Sequence, residues 1–167
     1  MATTLREPES LTFAGPGEAS GTLTPPALFQ CLVLSTHDQH CHWFDEAAAR
    51  AGWEAVICQD HEQAVRQLSR HPFPLVVVDL QSEDPPAVER FRQITAQHVR
   101  PGEQLLLVIG GEDDPLQEIW ARRHGAWVYL PGIDAASDLE GVYEQARLAA
   151  EQHLRYGWRP ENLARIN

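Results

Sequence analysis

Five short apolar runs recur between residues 29 and 130, and stretches of helical periodicity separate them. The runs are Phe29 to Leu34, Trp53 to Cys58, Leu75 to Asp79, Gln104 to Ile109 and Trp127 to Leu130. Apolar residues at nearly every position, instead of every second one, mark strands covered on both faces, as parallel sheets are. The segments between them place Phe44, Ala47, Ala48 and Ala51, then Ala64, Val65 and Leu68, then Val88, Phe91, Ile94 and Thr95 on single helical faces. A fourth helix is expected to bury Leu116, Ile119 and Trp120. A last one, over 137–156, carries Leu139, Val142, Ala146, Ala149, Ala150 and Leu154. Asp84 and Asp114 stand before prolines as N-caps, while Gly52, Pro72, Pro74 and Gly125 stop the elements before them. With right-handed crossovers, this alternation predicts an α/β fold: a three-layer, doubly wound (βα)5 unit around a five-stranded parallel sheet.

A chain of 167 residues can bury a core without disulfide or metal support. Residues 1–27, rich in Gly, Pro, Ser and Thr, read as a flexible leader, 28–156 as the folded domain and 157–167 as a tail. All 13 basic residues are arginines against 24 acidic ones, a formal net charge of −11. That charge repels nucleic-acid phosphates and anionic lipid headgroups, so neither is an expected partner. Cys31, Cys41 and Cys58 read as free thiols of a reducing cytoplasm. The longest strongly apolar run, Leu105 to Ile109, is too short to cross a bilayer.

Asp79 ends the third apolar run, at the strand end where doubly wound proteins place their chemistry. With the element order and the run Gly125-Ala126-Trp127-Val128-Tyr129-Leu130, it makes residues 29–153 resemble a response-regulator receiver domain, of CheY-like, flavodoxin-like fold. The resemblance implies the strand order 2-1-3-4-5 and a role in two-component signalling. In that family an acidic pair after the first strand binds Mg²⁺, and an aspartate after the third accepts phosphate. A hydroxyl residue after the fourth strand and a lysine after the fifth hold the phosphoryl oxygens. Here Ser35 and Thr36 stand in place of the acidic pair, Gly110 in place of the hydroxyl and Gly132 in place of the lysine. Asp79 alone matches, and Tyr129 keeps the aromatic position after the missing hydroxyl. Since phosphoryl transfer rests on metal and cation neutralising charge, a chain with these substitutions is expected to be a degenerate receiver without enzymatic activity, bound metal or cofactor.

Other residues carry alternative readings. Asp60, Glu83, Asp84 and Glu112-Asp113-Asp114 follow strands and offer oxygen ligands to a hard cation, or act as a solvated rim with helix caps. His37, His40, Cys41 and His42, with His61, have metal-ligand chemistry, or are exposed imidazoles at a helix start. No Gly-x-Ser-x-Gly elbow or phosphate-binding glycine loop occurs. Trp120, Trp127, Tyr156 and Trp158 are residue types enriched in interfaces. In receivers the face of the fourth helix, fifth strand and fifth helix commonly mediates dimers. The expected function is therefore signalling by protein–protein contact, as a homodimer or docked to another protein. The alternative is a small-molecule or nucleotide sensor with a pocket over Ser35, Thr36, Asp79 and Gly110.

Overall fold

The computed structural model describes residues 29–82 and 84–156. The expected leader and tail, with Trp158 and Glu83, lie outside the described residues. Strands β1 (Phe29–Leu34), β2 (Trp53–Cys58), β3 (Leu75–Asp79), β4 (Leu105–Gly110) and β5 (Val128–Pro131) alternate with helices α1 (Asp38–Arg50), α2 (His61–Arg70), α3 (Pro85–His98), α4 (Pro115–Arg123) and α5 (Ser137–Tyr156). The sheet is wholly parallel, in the order β2-β1-β3-β4-β5.

Side chains of a strand alternate between faces, and here the alternation divides the interior in two. Cys31, Val33, Val77, Leu107 and Ile109 face α1 and α5, where Phe44, Leu139 and Tyr143 are fully or almost fully buried. Leu32, Leu34, Val76, Val78 and Val108 face the opposite layer of α2, α3 and α4, with Phe91 and Ile94. Trp53 joins β2 to the first layer, donating its indole N–H to the Tyr143 carbonyl at 3.0 Å. Burial presses on polar groups in this layer too: desolvation pushes the Cys31 thiol up to about 12, and the Tyr143 hydroxyl well above its ordinary value.

Three helices begin at the strand ends with an aspartate cap. Asp60 accepts from the Gln63 N–H, Asp84 from that of Ala87, and Asp114 from those of Leu116 and Gln117. Prolines at the first helical positions of α3 and α4 fit the same starts.

Two apolar expectations fail. Leu116 and Ile119 are 70% and 45% exposed, and Ala121 is the fully buried residue of α4. Helix α4 lies at the β5 edge, where a strand of four residues offers little sheet to cover. Leu154 is 72% exposed. It sits in the last turns of a 20-residue helix, which at about 1.5 Å per residue outruns strands of four to six residues.

Candidate functional site

The carboxyl ends of β1 and β3 are neighbours, because Leu34 pairs with Val78. The next residue of each strand path supplies one half of a hydrogen bond. Ser35 Oγ donates to Asp79 Oδ2 at 2.7 Å, and both residues are fully buried. His40, from the first turn of α1, brings Nδ1 to the same oxygen at 2.8 Å. The carboxylate oxygen accepts, so Nδ1 carries the hydrogen. The other oxygen, Oδ1, accepts the Gln81 N–H at 2.9 Å. Asp79 thus has both oxygens engaged and no solvent-accessible area.

His40 is held by its own helix. Its ring stacks on that of His37 (centroids 4.0 Å apart) and on that of Trp43 (5.2 Å), a ladder at three-residue spacing. His37 is the N-cap of α1 and accepts the His40 N–H on its ring nitrogen. Cys41, also buried, directs its thiol to the Ser35 carbonyl, and burial raises its pKa. Thr36 and Ser82 join the β1–α1 and β3–α3 loops hydroxyl to hydroxyl.

The arrangement excludes a nucleophilic triad. In a triad the histidine stands between hydroxyl and carboxylate; here Ser35 and His40 both contact the same oxygen of Asp79. A metal centre is not assembled either: among the described residues no three His, Cys, Asp or Glu side chains come together in a group able to hold an ion. Asp60, Asp84 and Asp114 are engaged as caps, while His42 and His61 are exposed.

On the other side of Asp79, Gly110 ends β4 beneath the ring of Tyr129. A Cβ added at Gly110 would lie 2.1 Å from Tyr129 Oη and 2.6 Å from Cζ. Tyr129 therefore occupies the room a hydroxyl side chain at 110 would need. Its Oη donates to the Gly111 carbonyl at 3.3 Å, and partial burial raises its pKa. Gly132, beyond β5, has φ of +91°, which side-chain-bearing residues rarely adopt. A Cβ there would come within 3.1 Å of Glu112 Cγ and 3.6 Å of Gln81 Nε2. Gln81 Oε1 is buried without a hydrogen-bond partner among the described residues.

Ser35, Asp79, Gly110 and Gly132 lie at the carboxyl edge of the sheet, with Ser35 and Asp79 buried and the Tyr129 ring over Gly110. A groove of about 490 Å³ lies to one side, between the starts of α2 and α3, and of the expected pocket residues only Thr36 borders it. Trp120, Trp127 and Tyr129 are half-buried around α4 and β5, and Tyr156 is the last residue of α5. His40, expected either as a metal ligand or as an exposed imidazole at a helix start, is instead 7% exposed and hydrogen-bonded to Asp79, a pairing not expected from the sequence. A signal was present, since His40, Phe44 and Ala47 fall at i, i+4 and i+7 on the inward stripe.

The fold is that of solved receiver domains. The chain is similar, at TM-score 0.58 and 12% identity, to the chemotaxis response regulator CheY4 of Vibrio cholerae, over 71% of this chain and 98% of that one. It is similar at 0.59 and 15% to a CheY-like receiver domain protein of Methanospirillum hungatei, over 76% and 99%. The beryllofluoride-activated NtrC4 receiver domain dimer matches at 0.58 and 16%, over 72% and 98%. The chain matches no protein-family model and no curated protein sequence. Among the described residues no helix is long and apolar enough to cross a membrane.

Proposed function

We propose that this chain is a degenerate receiver that acts in signalling through protein contact, with the aspartyl-phosphate chemistry of the fold silenced. One observation supports this reading above the others: Asp79 is fully buried, with Ser35, His40 and the Gln81 N–H on its two oxygens. An attacking carboxylate needs a free oxygen, an in-line approach and cations to neutralise the moving phosphoryl group. Here the oxygens are engaged, the acidic pair is replaced by Ser35 and Thr36, and the chain has no lysine. Losing even one such electrostatic contact typically raises a barrier by about 3–4 kcal/mol.

The contact surface we assign is the flank of α4 and β5. Leu116 and Ile119 are exposed apolar residues there, Trp120 and Trp127 are half-buried, and β5 is an edge strand with no fully buried residue. Tryptophan beside exposed aliphatic side chains suits a protein partner or a second copy of the chain. One relative of the same fold is a dimer in its beryllofluoride-activated form.

The test is acetyl phosphate with Mg²⁺, read by intact-protein mass. No stoichiometric phosphoprotein is expected. A phosphoryl adduct that disappears in Asp79→Asn would overturn the proposal.

A further inference from the structure

At the amino edge of the sheet, opposite Asp79, the charge of the molecule is locally reversed. A groove of about 400 Å³ opens there between the ends of α2 and α3. One wall presents Arg70 and His71, the other His98 and Arg100. Glu103 is the single acidic residue of the lining. It pairs with Arg100 at 3.8 Å, with both side chains mostly exposed, a contact that holds little energy in water. Arg70 forms no ion pair among the described residues. In a chain of net charge −11, a lining with two arginines, two histidines and one acidic residue contrasts with the groove at the other edge, where Arg66 and Arg90 stand among Asp60, Glu62 and Asp84.

We infer that this groove is a binding site for a small phosphate-rich anion, of the di- or triphosphate class. Its volume is that of a small-ligand site, not of an extended protein interface. Guanidinium groups match phosphate oxygens in a two-pronged geometry. Imidazoles on both walls add N–H donors. The site is independent of the aspartate at the other edge, so it would act as an input separate from any event at Asp79.

The competing account is that these residues complement the negative ends of the α2 and α3 dipoles. Titration of the full-length protein with sodium pyrophosphate at constant ionic strength separates the two, followed by ¹⁵N amide and imidazole shifts. Saturable shifts confined to residues 68–72 and 97–104 are expected. The affinity should be about tenfold weaker in Arg70→Gln and in Arg100→Gln, the loss of one charge-assisted contact, and unchanged in Arg66→Gln. Shifts that grow linearly, that chloride or sulfate reproduce equally, or that persist undiminished in both groove variants would overturn the inference. So would variants that only lower the melting temperature, since that is what dipole complementation alone predicts.

Discussion

The centre and the flank of this sheet are built to opposite standards. Around β1 and β3 every residue of β3 is buried, and Asp79 is tied to two loops and a helix. At β5 no residue is fully buried, and α4 leaves Leu116 and Ile119 in solvent. A polar centre closed to solvent beside an open apolar flank separates two properties. Reactivity needs access to Asp79; recognition needs only a well-shaped edge. The contrast teaches that the two demands fall on different parts of one sheet, so that either can change without the other.

The sharpest way to break the contrast is at the centre. His40→Ala removes a partner of Asp79 and leaves a cavity beside Phe44. It should cost about 2–3 kcal/mol in urea unfolding. A loss below about 0.5 kcal/mol would mean that the pair does not hold the centre together.

An intermediate effect is expected at the boundary between the two regions. Gly110→Ser forces a Cβ into the Tyr129 ring, and overpacking of this kind costs about 1–3 kcal/mol. The same substitution in a Tyr129→Ala background should be nearly neutral, giving a double-mutant coupling that reads the contact directly. Additive losses would remove Tyr129 as the cause.

The smallest effect on stability belongs to the flank. Leu116→Ser should change it by less than about 0.5 kcal/mol, yet weaken self-association or partner capture in light scattering and pull-down. An unchanged assembly would move the contact surface elsewhere.

The strands and most helices were legible in the sequence because burial on both faces writes a simple pattern. Leu75 to Asp79 admits no other reading between Pro74 and the proline-led start of α3. The fourth helix was less legible, since Leu116, Ile119 and Trp120 have helical spacing whether or not a sheet lies beneath them. Only the shortness of β5 shows that the sheet covers Ala121 and part of Trp120 but leaves Leu116 and Ile119 exposed. At the site, Asp79 could be placed from its strand end and Ser35 from the register of β1. His40 could not be joined to them by spacing alone, because 39 residues separate it from Asp79. The Tyr129–Gly110 contact was hidden for the same reason: a glycine shows that space exists, not which ring enters it.

The division of the interior into two apolar layers bears on how such a chain drifts. Val77 must be apolar and of about its present volume, and Ile or Leu would meet that demand with modest repacking. A deletion inside β3, by contrast, would exchange every following side chain between the layers. Substitutions within the strands can therefore accumulate until little identity is left, while insertions and deletions collect in the loops. At 12–16% identity to proteins of the same shape, what this chain still shares with them is a rhythm of apolar and polar positions more than a spelling.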